Sequence, residues 1–209
     1  MYQIILASES PRRKEIMDIM GITYRVMSAH VKEETVETVP EDMVKSLASL
    51  KSRAILPEVL KLLEEGGQTE KQTDFLIIGA DTMVFYQEHV MGKPKNEEDA
   101  VRMLKLLSDE VHEVYTGVCI LILTMDGKQK ELNFAVSTKV KVRPLSEEQI
   151  ADYIATGEPM DKAGAYAIQG RFGIYIKEII GDYYNVVGFP IAKIYDTLLE
   201  YGIDLKKLK

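Results

Sequence analysis

The sequence predicts a mixed α/β fold, a twisted sheet with flanking helices, on three observations. A short apolar run, Ile4 to Ala7, turns directly into an amphipathic helix opened by Pro11. Phe75 to Gly79 (FLIIG) is a continuous apolar strand of the kind buried on both faces of a parallel sheet. His112 to Leu123 and Glu131 to Val142, joined by a turn at Asp126-Gly127, read as a hairpin of long antiparallel strands.

The opening strand runs into Ser8 and Ser10, and the helix behind it carries Arg12 and Arg13 in its first turn, with Ile16, Met17, Ile19 and Met20 as apolar positions. A strand that turns straight into a helix leaves unpaired backbone N–H groups and the positive end of the helix dipole at one spot. The serine hydroxyls and the guanidinium forks suit that spot to a phosphate chain. The alternative is a capped helix with two solvated arginines. Gly21 ends the helix, and Thr23 to Ser28 reads as a second strand before the acidic segment His30 to Glu37. Pro40 opens the next helix, with Met43, Leu47, Leu50 and Ala54 at core spacing. Lys51 lies beside that stripe, where a partly buried lysine needs an anionic partner. Residues 57–74 continue or restart the helix and then become a polar, Gly-containing loop, read as a surface insertion.

Directly after FLIIG stand Ala80, Asp81 and Thr82, and the strand resumes from Met83 to Tyr86. A carboxylate inside so apolar a run costs several kcal/mol unless it is paired or binds a cation, which makes Asp81 the strongest catalytic candidate in the chain. A Gly92-Lys93-Pro94 turn presents Lys93 near the end of that strand, and Asn96 caps a helix with Ala100, Met103, Leu104 and Leu107 on one face. Ser146 caps a further helix with Glu148 and Gln149 near its start. Asp161 to Gly173 is a tight loop of small residues that nevertheless carries Asp161, Lys162 and Gln169. A strand from Ile174 to Ile179, a turn from Gly181 to Pro190 and an amphipathic helix from Ile191 to Tyr201 follow, and the KKLK tail is expected to fray. No linker or repeat divides the chain, and 1–209 reads as one large domain or two closely packed lobes with no separable linker.

Composition narrows the function. A net charge of −7 argues against a nucleic-acid binder that relies on a broad basic face, so any basic cluster is local, as in an anion-binding site. The single cysteine, Cys119, lies in the apolar run VCILIL and reads as a packed strand residue, compatible with a reducing cytoplasm. No apolar run approaches the ~20 residues that span a membrane, and the N-terminus lacks the pattern of a signal peptide. His30, His89 and His112 lack ligand spacing, which argues against a preformed zinc site, and no GxxxxGK[ST] is present. The turns offer Ser8, Arg12, Arg13, Lys51, Lys93 and Lys162 as donors or cations, and Glu33 or Glu34, Asp81 and Asp161 as acids. That inventory matches the needs of a triphosphate: cations on its oxygens, a carboxylate for a divalent metal, and a base to orient water. Residue types and spacing alone stop at a phosphate-handling α/β enzyme.

The stretches LASESPRRKEIM, IIGADTMV, GKPKNEEDA, HEVYTGV and GEPMDKAGAYAIQG followed by GDYYNVVGFP resemble the successive motifs of the Maf family of nucleoside triphosphate pyrophosphatases, in that family's order and over nearly the whole chain. Residues 57–74 are the least family-like. The resemblance implies a Maf/ITPase-like α/β fold with two lobes around a deep cleft, a homodimer, and hydrolysis of a nucleoside triphosphate to monophosphate and pyrophosphate with Mg²⁺ or Mn²⁺. It assigns Asp81 as general base or metal-linked carboxylate, and Ser8, Arg13, Lys51, Lys93 and Lys162 to the phosphates. The acidic metal position falls on Glu33 or Glu34, together with Asp81. At three specificity positions, Arg12, Thr82 and Gln169, the chain resembles the subgroup acting on dTTP and UTP. A glutamine, with one acceptor and two donors, can read the O4 and N3–H edge of uracil or thymine. Two alternatives are a purine-directed pyrophosphatase of the 7-methyl-GTP type and a nucleotide-binding regulator of cell division without turnover.

Overall fold

A computed structural model of the chain describes residues 2–28, 31–66, 73–87 and 89–208. The strands are β1 (Tyr2–Leu6), β2 (Arg25–Val26), β3 (Asp74–Tyr86), β4 (His89–Met91), β5 (Val111–Leu123), β6 (Gln129–Val142) and β7 (Ile176–Ile180). The helices are α1 (Pro11–Ile19), α2 (Pro40–Gly66), α3 (Glu97–Leu107), α4 (Glu147–Ile154), α5 (Tyr183–Val187) and α6 (Ile191–Glu200). The seven strands form one sheet in the order β2-β1-β3-β5-β6-β7, with β4 on β3. It is mixed, as expected: β1 runs parallel to β2 and β3, while β3–β4 and β6–β7 are antiparallel. The chain divides into two compact units, one of Met1–Asp81, Thr116–Val136 and Gly188–Lys209, the other of Thr82–Tyr115 and Ser137–Val187.

In the first unit, β1 and β3 pair from Tyr2↔Asp74 to Leu6↔Ile78, and Ala7 N–H extends the ladder to Ile78 O at 2.8 Å. Ile5, Ala7, Phe75, Ile77, Cys119 and Leu121 point one way and pack with Ala48, Ile55 and Val59 of α2. Ile4, Leu6, Leu76, Ile78 and Ile120, which point the other way, are equally buried, so both sheet faces are covered. Burial, with Glu131 beside it, pushes the Cys119 thiol up to about 12, the behaviour of a packing residue.

Helix α2 runs unbroken through Pro57, and its buried stripe differs from the expected one. Val44, Leu47, Ala48, Ser52, Ile55 and Val59 are buried, whereas Met43, Leu50 and Ala54 are only half-buried. The helix is turned toward its small residues because its backbone lies directly on two strand glycines. A Cβ on Gly79 would overlap Ser52 Oγ and lie 2.7 Å from Ala48 O; one on Gly117 would overlap the Val44 carbonyl and lie 2.7 Å from Lys45 N. Serine reads as polar in a sequence, but Ser52 here satisfies its hydroxyl on Cys119 O at 2.9 Å and is fully buried.

Other expectations are corrected locally. On α1, Ile16 and Met17 are buried but Ile19 and Met20 are exposed. The strand expected over 23–28 shrinks to the exposed pair Arg25–Val26 at the sheet edge. At the tail, a short 3-10 turn over Leu205–Lys207 is capped by Asp204, whose side chain accepts from Lys206 N–H, and Leu205 is buried. His30, at the head of the acidic segment, and the polar loop over 67–72 lie outside the described residues.

In the second unit, Asn96 caps α3 by accepting from Asp99 N–H, and Ala100, Met103, Leu104 and Leu107 are all buried, as their spacing predicts. Ser146 and Gln149 form a reciprocal capping box at the start of α4. The 181–190 stretch is not a simple turn but contains α5. Its Asn185 is fully buried because the side-chain amide donates to Val114 O and Thr138 Oγ1, both at 3.0 Å. The 158–175 stretch is a chain of 3-10 turns around Phe172, whose ring packs on Tyr153, Tyr166 and Tyr175.

Candidate active site

In the first unit, direct contacts gather five of the expected residues into two groups, Ser8 with Arg13 and Lys51 with Asp81 and Glu33. Ser8 follows the end of β1 and is buried; its Oγ accepts from Ser10 N–H at 3.2 Å and from Arg13 Nη1 at 3.1 Å. Arg13, also buried, donates through Nε to Gly188 O at 2.8 Å, just before α6. The guanidinium is thus aimed by two fixed acceptors. Burial draws its pKa down from the ordinary arginine value, and the Asp81 charge opposes that shift. Arginine remains charged in proteins at physiological pH, so the turn holds a fixed, dry cation. Ser10, at the start of α1, makes no side-chain cap, which removes the capped-helix alternative for that hydroxyl.

Asp81 lies on β3 three residues beyond Ile78, the partner of Leu6. It is buried, and it is paired as so apolar a strand requires: Lys51 Nζ sits 2.6 Å from Asp81 Oδ1. The same ammonium lies 3.0 Å from Glu33 Oε2. One half-buried lysine therefore gathers a strand carboxylate and a loop carboxylate. Glu34 points elsewhere, pairing with Lys32 at 2.6 Å on the surface. Of the two acids the sequence leaves open, Glu33 is the one that meets Lys51, the partner of Asp81.

Among the described residues no group of three His, Cys, Asp or Glu side chains forms a complete metal cage. Divalent magnesium, however, is ordinarily held by one or two carboxylates with water and substrate phosphate completing the shell. Two hard oxygen donors converging on one cationic point fit that mode, so Glu33 and Asp81 form an acceptable donor set for Mg²⁺ or Mn²⁺.

Arg12 is half-buried on α1, and Thr82 is half-buried, next after Asp81 on β3. In the second unit, Lys93 is exposed two residues past Met91, which pairs with Val84. Lys162 is mostly buried, with its ammonium on the exposed Asp161 carboxylate. The loops that carry these two lysines are stitched together by Gly164 N–H donating to Gly92 O at 3.1 Å. Gly164 has φ +70°, and an added Cβ would press on Val84 at 3.1 Å, so glycine suits both the turn and the space. Gln169 is exposed at a turn closed by Gly170 N–H to Ala167 O.

Two contacts do not announce themselves in the sequence: the Gly188 carbonyl behind Arg13 in the first unit, and the buried pair His112–Tyr166 in the second. His112 Nε2 lies 2.7 Å from the Tyr166 hydroxyl, joining β5 to the loop that bears Lys162 and Gln169. The aromatic character of GAYAIQG was the only signal for that pairing. A lone histidine in a strand carries none.

The chain matches the family model described as Maf-like protein over residues 3–201. It is 47% identical over 207 residues to a dTTP/UTP pyrophosphatase of Lachnoclostridium phytofermentans, covering 99% of each chain. It is 46% identical over 205 residues to a dTTP/UTP pyrophosphatase of Agathobacter rectalis, covering 98% of this chain and all of that one. A dTTP/UTP pyrophosphatase of Bacillus thuringiensis subsp. konkukian is 42% identical over 207 residues, with 98% of each chain covered. With the family model spanning nearly the whole chain and relatives this similar over their full lengths, the chain belongs to the Maf family.

Proposed function

We propose that this protein is a divalent-metal-dependent pyrophosphatase that hydrolyses dTTP and UTP to the nucleoside monophosphate and pyrophosphate, removing surplus or modified pyrimidine nucleotides. The observation that carries the reading is the buried Asp81 carboxylate held on Lys51 beside Glu33, in the same unit as the Ser8–Arg13 turn. Full-length relatives bearing the dTTP/UTP pyrophosphatase name support it.

In this reading Asp81 takes the proton of the attacking water while the phosphoanhydride bond to the pyrophosphate breaks. A dry carboxylate, its position set by Lys51, orients that water without reorganising. Arg13, fixed at two of its nitrogens, and the Ser8 hydroxyl receive phosphate oxygens at the start of α1, where the helix dipole adds to the positive potential. Glu33 and Asp81 are the residues that would hold Mg²⁺ or Mn²⁺, and the bound ion would supply charge to neutralise phosphate oxygens. Lys51, Lys93 and Lys162 are phosphate ligands, and Gln169 reads the O4 and N3–H edge of the base with Arg12 and Thr82 as the other specificity positions. The family resemblance carries the accompanying expectation of a homodimer, and the single cysteine, Cys119, is compatible with the reducing cytoplasm.

The test is pyrophosphate release from a panel of dTTP, UTP, dCTP, 7-methyl-GTP and deaminated purine triphosphates, with and without Mg²⁺ or Mn²⁺, on wild type and Asp81→Asn. The expected result is a metal-dependent preference for dTTP and UTP, with Asp81→Asn reduced by about 100-fold or more. A purine optimum, or an Asp81→Asn variant equal to wild type, would overturn the reading.

A further inference from the structure

We propose that Tyr153 and Glu158, outside every site named above, are positioning residues that set base selectivity by holding the Gln169 turn. The proposal rests on Gln169 reading the base.

The geometry is a single relay that grips the turn at both ends. Ala167 N–H donates to the Tyr153 hydroxyl at 3.2 Å, and that hydroxyl donates to Glu158 Oε1 at 2.8 Å. The other carboxylate oxygen, Oε2, accepts from Arg171 N–H at 3.1 Å. Residues 167 and 171 flank Ile168, Gln169 and Gly170, so one tyrosine–carboxylate pair fixes the two ends of the segment whose middle is Gln169. Gly170 makes room for this arrangement: a Cβ there would collide with the Glu158 carboxylate, lying 2.6 Å from its Oε2. The relay is itself braced. Tyr153 is buried, its ring tilted on Phe172 at 5.0 Å, and Glu158 N–H donates to Thr156 Oγ1 at 3.2 Å.

A carboxylate is the group this position requires. It accepts at both oxygens, and the relay presents two donors, the Tyr153 hydroxyl and the Arg171 N–H. An amide in its place would turn an NH₂ toward one of them. The chemistry of the base explains why such rigidity matters. A glutamine amide that accepts from N3–H and donates to O4 suits uracil and thymine; turned over by half a rotation, it accepts from the cytosine N4 amine and donates to N3. Holding the Gln169 backbone sets where the amide meets that edge of the base, and a slack turn admits the shifted poses in which the rotated amide pairs with cytosine.

The experiment compares Glu158→Gln, Tyr153→Phe, Gly170→Ala and Gln169→Ala, measuring kcat and KM separately for dTTP, UTP and dCTP, and adds Glu158→Gln in the Gln169→Ala background. The expected outcome is a rise in KM for dTTP and UTP of about tenfold in the first three variants, with kcat changed less than about threefold and the preference over dCTP narrowed about tenfold. Glu158→Gln adds nothing to selectivity once Gln169 is gone, because the two act through one turn. A merely structural role would lower all three substrates alike and would persist in the double variant. Either result overturns the proposal. Loss of selectivity in Gln169→Ala with none in Glu158→Gln and Gly170→Ala refutes the relay while leaving base reading by Gln169 intact. Unchanged selectivity in Gln169→Ala refutes base reading itself and the relay's role with it. Should Tyr153→Phe not fold, Glu158→Gln, at a half-buried side chain, decides the matter.

Discussion

The Lys51 ammonium stands 2.6 Å from Asp81 Oδ1, with 16% and 9% of the two side chains exposed. A pair so shielded from water is expensive to break on one side, because the surviving charge stays buried without compensation. Lys51→Met is expected to destabilise the protein by about 3 kcal/mol, and Lys51→Met/Asp81→Leu by less than the single change. Urea unfolding of the two variants measures the difference; a double variant no more stable than Lys51→Met would overturn the expectation.

Glu33 and Glu34 adjoin in sequence but differ in partner, Lys51 for one and Lys32 for the other. Glu33→Gln is expected to raise the Mg²⁺ concentration for half-maximal pyrophosphate release about tenfold or more, and Glu34→Gln to leave it within about twofold. A metal titration of both variants gives the answer directly.

The contact of α2 with Gly79 allows no side chain, since a new Cβ would meet Ser52 Oγ and the Ala48 carbonyl. Gly79→Ala is expected to cost about 3 kcal/mol. It should also lower activity beyond the loss of folded protein, because the same helix carries Lys51 and the same strand Asp81. Ser52→Gly in the Gly79→Ala background removes the side-chain part of the clash, and partial recovery of the melting temperature is the check.

Burial lowers the His112 pKa from 6.5 to about 4. Between those values the unfolded chain binds more protons than the folded one, so unfolding is favoured as pH falls. The stabilisation is complete above pH 6.5 and is lost toward pH 4, by roughly 3 kcal/mol at most. His112→Phe is expected to flatten this part of the profile. The slope of unfolding free energy against pH is the readout, because loss of the Tyr166 partner lowers the whole curve.

Much of this protein was legible in the residues themselves. The apolar runs of β1 and β3, the caps at Asn96 and Ser146, the stripe of α3 and the burial of Cys119 all follow from local pattern. Asp81 was singled out by the cost of its setting, and its pairing with Lys51 answers two separate demands of the sequence, a buried acid and a half-buried lysine. The order of its motifs resembles that of the Maf family, to which the chain belongs.

Other features belong to tertiary structure. The face α2 buries departs from the expected stripe because small residues carry weak periodic signal, and only the backbone contact with Gly79 and Gly117 turns the helix toward Ala48 and Ser52. Glu33 and Glu34 are equivalent in a string of letters; the path of the loop past Lys51 separates them. The Tyr153–Glu158 relay and the His112–Tyr166 pair join residues whose spacing obeys no period, through hydrogen bonds that exist only once the chain has folded back on itself. Local pattern follows from burial along one element, whereas a site is defined by which elements meet, and that is decided by packing.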